Sequence, residues 1–362
     1  MKLAWKEIRY HWRKYLLIEL LLVLMIFMVM FLSGLANGLA RAVSAGIENA
    51  EATYFAVSTD AEALITVSGL DPDILPQLQK KTDGKATALD IQRMNLNRKD
   101  NSEKLDVTYF AIDPDAFLNP EVAGGEKLMK EGHAIVLDQS FEEEGIAIGD
   151  IVEDSTTGIQ LTVTGFTKDA MYGHTPIGFI STDTYTDIRM AINPGYEIKY
   201  HAIALQGDNL SEITVDGTQI VDKAAIIENI PGYQAEQTTI HMILWVLVVI
   251  SAAVLGIFIY IITIQKRKQF GVMKAIGMQM GEITGIQLSQ VFLLAGIGIL
   301  CGNALAFGMS QMLPSSMPFY LQPEDAAVVS LSFVVISMIC SLISAVHVAK
   351  IDPIIIIGGN EE

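Results

Sequence analysis

A chain of 362 residues that is 51% hydrophobic and carries a formal net charge of −17 is not one evenly mixed soluble domain, because such acidity is rare in so apolar a composition. The acidity is local: 33 Asp/Glu stand against 14 Lys/Arg between Arg41 and Glu236, a balance of −19, while the remainder holds 8 acids and 10 bases, or +2. The acidic middle argues against nucleic acid as a partner, and a cysteine count of two, Cys301 and Cys340, excludes a disulfide framework.

In chain order, residues 1–14 mix Leu3, Trp5, Ile8, Tyr10 and Trp12 with Lys6, Arg9 and Arg13, which predicts a cytoplasmic interfacial helix. Residues 15–37 form the first apolar run and are expected to be a retained transmembrane helix, its apolar stretch being longer than that of a signal peptide. Within it, Glu19 is expected to reach the inner headgroups or pair with a cytoplasmic base. Residues 38–236 predict a large extracytoplasmic α+β domain. Strand composition recurs in "TYFAVST", "ALITVSG", "KLDVTYFAID", "HAIVLD", "IQLTVTGF" and "YHAIALQG", and "IAIGDIVEDSTTGIQLTVTGF" reads as two strands around a polar turn. Short helices fit "DPDILPQLQKK", "TDTYTDIRMAI" and "SEITVDGTQIVDKAAIIENI".

Further apolar runs follow at 237–264, 286–310 and 327–349, separated by a basic loop at 265–285 and an extracellular loop at 311–326, with a cytoplasmic tail at 350–362. Each run approaches the ~20 residues that span a bilayer core. The fold expected is therefore an integral membrane α-helical protein of four transmembrane helices, with the α+β domain between helices 1 and 2. Lys2, Lys6, Arg9, Arg13 and Lys14 precede the first span, Lys266, Arg267, Lys268 and Lys274 follow the second, and the 311–326 loop has no Lys or Arg. The positive-inside rule then places both termini and the 265–285 loop in the cytoplasm.

No GxxxxGK[ST] loop, HExxH or G-x-S-x-G occurs, and the six histidines lack metal-ligand spacing. The chain is expected to be non-catalytic. Potential ligand side chains nevertheless gather where the chain enters and leaves the membrane. "DAMYGH" supplies Met171, Tyr172 and His174, "GYQAEQ" supplies Tyr233 and Glu236, and the first span carries Met25, Met28 and Met30. Each also has a plainer reading: methionines as packing residues, Tyr172 as a loop aromatic, His174 as a solvated loop residue. A carboxylate three residues after an interfacial tyrosine is not explained by membrane anchoring. The 265–285 loop has an apolar face of Phe270, Val272, Met273 and Ile276, suited equally to a cytoplasmic partner or to a plain connector. Gly298 and Gly302 form a GxxxG that permits close helix contact.

The layout of one span, a large outer domain and three more spans resembles the FtsX/MacB-type ABC transporter permeases, as do "QKRKQFGVMKAIGM" and the DP-containing tail "IDPIIIIGG". More narrowly, "MKLAWKEIRY", "FLSGLANGLAR", "DAMYGH", "GYQAEQ", "TIQKRKQFGVMKAIGM" and "SMPFYL" together resemble the haem-exporting permeases called HrtB. This resemblance implies a permease of the bacterial plasma membrane, built from two copies of itself with two copies of a cytoplasmic ABC ATPase. Haem is then the transported substrate, ATP and Mg²⁺ act through the partner, and the result is haem detoxification. It also implies haem binding near the outer leaflet by Met28, Tyr172, Tyr233 and Glu236, with Met28 and Glu236 as candidate iron ligands. Lys268, Phe270, Met273 and Lys274 fall in the segment that couples to the ATPase. The alternatives are a permease of the same type exporting another amphiphile or a peptide, one relaying a mechanical signal to an external partner, and a non-transport receptor.

Overall fold

A computed structural model describes residues 2–98, 101–314 and 317–349; the "IDPIIIIGG" tail lies outside them. In chain order the first elements are α1 (Lys2–Tyr10), α2 (Trp12–Glu48), β1 (Tyr54–Ser58), α3 (Ile74–Lys81), β2 (Ala86–Arg98) and β3 (Asn101–Ile112). Next come β4 (Gly124–Gly125), β5 (Ala134–Asp138), α4 (Ser140–Glu143), β6 (Ile151–Asp154), β7 (Gln160–Thr167), β8 (Met171–Tyr172) and β9 (Thr175–Ser181). The remainder is α5 (Thr182–Ile192), β10 (Ala202–Leu205), β11 (Thr218–Asp222), α6 (Lys223–Glu228), α7 (Tyr233–Gln265), α8 (Arg267–Ala275), α9 (Met280–Ser310) and α10 (Pro323–Ala349). The chain divides into two compact units, Leu39–Gln237 and a membrane unit of Met1–Gly38 with Thr238–Glu362.

Four helices, α2, α7, α9 and α10, are long and apolar enough to cross a membrane. Inside the membrane unit, Leu22, Ile26, Val29 and Met30 of α2 pack with Leu255 and Ile259 of α7, Val291 and Ala306 of α9, and Phe333 of α10. The GxxxG pair supplies the close approach: a Cβ added at Gly298 would overlap Leu22, and one at Gly302 would lie 2.7 Å from Ile26. Glu19 differs from expectation. Both its carboxylate oxygens are buried without a partner among the described residues, and Oε1 lies 3.3 Å from where a Gly298 Cβ would stand. It faces α9 rather than the inner headgroups, because the glycine leaves room for it there.

Gly34 and Gly38 form a second small-residue pair on α2. Phe319 sits over Gly34, the Pro318 backbone closes on Gly38, and the Tyr320 N–H donates to the Gly34 carbonyl at 2.8 Å. Asn37 hydrogen-bonds Asp325 at the start of α10. Two segments of the resemblance, "FLSGLANGLAR" and "SMPFYL", therefore meet.

The inserted unit is a mixed sheet in the order β11-β1-β10-β2-β3-β9-β5-β7-β4, with β6 bridging β2 and β7 and β8 paired to β9. The β3/β9 and β5/β7 pairs are parallel and the rest antiparallel. Neighbouring residues of one strand point to opposite faces. Phe110, Val136 and Phe179 thus join one core with Val43 and Ile47 of α2 and Ile226 of α6. Tyr109, Ile135 and Ile180 join the other with Phe141 of α4 and Tyr185 and Ile188 of α5. Both faces are covered, so the central strands read as continuous apolar runs.

Two readings of this unit need correction. "ALITVSG" forms a 3-10 turn, Ile65–Val67, instead of a strand, and "SEITVDGTQIVDKAAIIENI" divides into edge strand β11 and short α6. Asp222 makes that division: its carboxylate accepts the Ala225 N–H at 2.7 Å, capping α6.

Candidate functional site

In the inserted unit the site is built on the turn that connects β8 to β9. Gly173 (φ 55°) and His174 (φ 62°) are both left-handed, the two-residue hairpin geometry that matches strand twist. The turn leans on α2: the Gly173 N–H donates to the Val43 carbonyl at 3.0 Å and the His174 N–H to that of Ala42 at 2.9 Å. Asn49 Nδ2 donates to the Asp169 carbonyl at 2.9 Å, and Arg41 lies 3.4 Å from the Asp169 carboxylate and 3.8 Å from that of Glu48. Gly46 allows this fit, since a side chain there would strike Ile177. At the C-terminal end of α2, Lys223 Nζ donates to the Glu48 and Ala50 carbonyls at 3.0 and 2.7 Å, a cation where the helix dipole favours one.

The turn presents His174 outward, with Nε2 3.2 Å from a carboxylate oxygen of Glu236. Glu236 lies in the first turn of α7, where a negative charge suits the helix dipole. Tyr233, one turn earlier on the same helix face, packs half-buried against the first core. His174, set apart as a solvated loop residue, is thus the partner of Glu236. Nothing in the sequence signals a pairing across 62 positions.

Tyr172 is also not a loop aromatic. It is a strand residue, 7% exposed, edge-on to Phe110 at 5.5 Å, and burial pushes its phenol up to about 12. A phenol so placed remains neutral at ordinary pH and does not come pre-ionised for iron.

In the membrane unit Met28 is half exposed, turned off the face on which Ile26 and Met30 pack, so its thioether is not consumed by the core. The junction of α7 and α8 holds a buried polar network that no local sequence pattern signals. Lys266 Nζ lies 2.7 Å from Glu7 of α1 and donates to Gln290 of α9, which itself donates to Glu7. The Lys266 ammonium stands 5.4 Å from the centre of the Tyr15 ring, and Gln287 donates to Thr263 at 2.5 Å.

Lys266 leads directly into α8, which holds the predicted coupling residues. Phe270 turns inward onto Ile283, with Met273 beside it, and Lys268 is exposed. The apolar face expected to be free is therefore half consumed, because α8 packs against the start of α9; Val272 and Ile276 are its exposed apolar side chains.

Residues 241–353 match the family FtsX-like permease C-terminal. Over its full 362 residues the chain is 28% identical to a Staphylococcus haemolyticus protein and 29% identical to one from Staphylococcus epidermidis, with all of each chain covered. Both carry the name hemin transport system permease protein HrtB. Among solved structures, the extracellular domain of the ABC-type transporter YknZ is 15% identical, with a TM-score of 0.34 over 47% of this chain and 99% of that one. The periplasmic region of MacB from Actinobacillus actinomycetemcomitans is 14% identical, with a TM-score of 0.35 over 49% and 92%. The chain thus carries an FtsX-like permease domain in its last third, has four helices long and apolar enough to cross a membrane, and is similar over its full length to proteins named HrtB permeases.

Proposed function

We propose that the chain exports haem from the bacterial cell membrane as a homodimer driven by two copies of a separate cytoplasmic ATPase, which supplies ATP and Mg²⁺ chemistry, and that this export relieves haem toxicity. The observation that carries the reading is the Glu236 carboxylate, held 3.2 Å from the His174 imidazole with the Tyr233 phenol on the same helix face. Haem iron accepts imidazole, phenol and thioether donors, and ferric iron takes a carboxylate oxygen as well. Full-length similarity to proteins named for hemin transport supports the same substrate. In this account Glu236 and Met28 are the iron ligands and Tyr233 flanks the macrocycle, while Tyr172 holds the hairpin that offers His174. An exposed imidazole–carboxylate pair is weak, so cargo can displace it and the pair can re-form on release. In cells expressing the chain with its ATPase, Glu236→Ala and Met28→Ala should each lower the haem concentration tolerated at unchanged protein level. Full tolerance in both would remove the ligands from the account.

The charge asymmetry of the loops supports cytoplasmic termini and a cytoplasmic α8, where Lys268 and Lys274 with Val272 and Ile276 meet the ATPase over a Phe270–Met273 base. In a Cys301→Ser/Cys340→Ser background, Lys268→Cys should resist a membrane-impermeant thiol reagent in intact cells while Asp183→Cys is labelled. The reverse pattern would invert the arrangement.

A further inference from the structure

We infer that the inserted domain holds a second ligand site, for a small aromatic or amphiphilic organic cation, in a cavity beside the end of α2. The cavity measures about 430 Å³, within the range of about 300–1,000 Å³ usual for small-molecule pockets. Phe110, Phe117 and Phe179 line it with Leu89, Ile112 and Leu118.

Its outer wall is the irregular segment between β3 and β4, and that wall is fastened. Asn119 Nδ2 donates to the Pro114 and Leu128 carbonyls at 2.8 and 3.1 Å, the Thr167 hydroxyl to the Glu121 carbonyl at 2.9 Å, and the Ala123 N–H to that of Phe166 at 2.7 Å. The space is therefore preformed.

Charge selects the ligand. Glu51, Glu121 and Asp169 line the cavity with Lys168. Lys127 pairs with Glu121 at 2.6 Å, and Arg41 divides itself between Asp169 and Glu48. Lys223 stands on the Glu48 and Ala50 carbonyls, so four carboxylates meet four cations at the mouth, and the negative field comes from the surrounding segment, whose balance of 33 acids against 14 bases is −19. A field of that sign repels anions and concentrates cations, and phenyl faces add attraction for an ammonium. A porphyrin bearing two propionates is disfavoured by the same field, so this site is independent of the haem reading and of Met28 and Glu236.

The test uses the full chain in lipid nanodiscs and two probes of similar shape and opposite charge, benzyltrimethylammonium and phenylacetate, titrated by saturation-transfer NMR with empty nanodiscs subtracted. The ammonium should bind saturably and at least tenfold more tightly than the carboxylate. Ala123→Trp, which fills the cavity from an exposed position, should abolish that binding while leaving the haemin spectrum unchanged. Glu51→Lys should weaken it severalfold. No saturable binding, equal binding of the two probes, or full binding in Ala123→Trp would each overturn the site; loss of haemin binding alone would strike the haem account instead.

Discussion

Lys266→Met is expected to destabilise the membrane unit by about 3–5 kcal/mol, the cost of stranding one charge of a buried pair. Lys266 and Glu7 expose only 10% and 19% of their side chains, and Gln290, itself 3% exposed, bonds both. Removing the ammonium leaves the Glu7 carboxylate in low dielectric with an amide alone to solvate it. The double variant Glu7→Gln/Lys266→Met removes both charges and should recover more than half of the loss, because coupled sites are not additive. Thermal unfolding in nanodiscs reads both. The network also ties α1 and α9 to the residue that starts α8, so if the proposed function holds, ATPase stimulation by haem should fall in Lys266→Met by more than stability explains. Unchanged melting in the single variant, or no recovery in the double, would reduce the network to a surface pair.

Tyr172→Ala should cost a comparable amount, about 3–5 kcal/mol, as for other large aromatic-to-alanine changes in cores. Its ring is buried against Phe110, and the hairpin that presents His174 rests on it. Tyr172→Phe should be close to neutral, because the hydroxyl makes no hydrogen bond among the described residues. The phenylalanine variant therefore separates roles: normal melting with an altered haemin spectrum would give the hydroxyl a part in binding, and normal values of both would leave Tyr172 as packing. Linkage gives a second check. Burial raises the phenol from 10 to about 12, so the native state favours the neutral form. The stability it contributes is complete below pH 10 and falls as pH rises from 10 through about 12. Tyr172→Phe should flatten that alkaline loss.

What could be read in the sequence follows the range of the interactions. Four spans were legible because each apolar run is long and continuous, "HAIVLD" because a strand buried on both faces needs no partner to be apolar, and "IQLTVTGF" because its first half alternates exposed and buried residues. Strand β2 was not recognised: Asn95, Asn97 and Arg98 dilute its alternation, and its Leu96 is buried only through tertiary contacts. "ALITVSG" has strand composition, yet Glu62 before it and Ala63 at its head take positive φ and the chain turns. Phe270 could not be assigned to the inside from its own helix, because Ile283, which covers it, belongs to the next one. The His174–Glu236 pair and the Lys266–Glu7 pair join positions 62 and 259 residues apart; no local pattern encodes either.

The proposal is that the chain carries haem on Met28 and Glu236. Titration of the purified full chain with haemin, followed in the Soret region, tests it most directly. The account predicts a saturable, shifted Soret band in the wild type. In Met28→Ala/Glu236→Ala it predicts an affinity lower by about tenfold or more, equivalent to at least about 1.4 kcal/mol, with melting unchanged because neither side chain belongs to a core. The absence of a saturable band in the wild type, or the same band and affinity in the double variant, would contradict it.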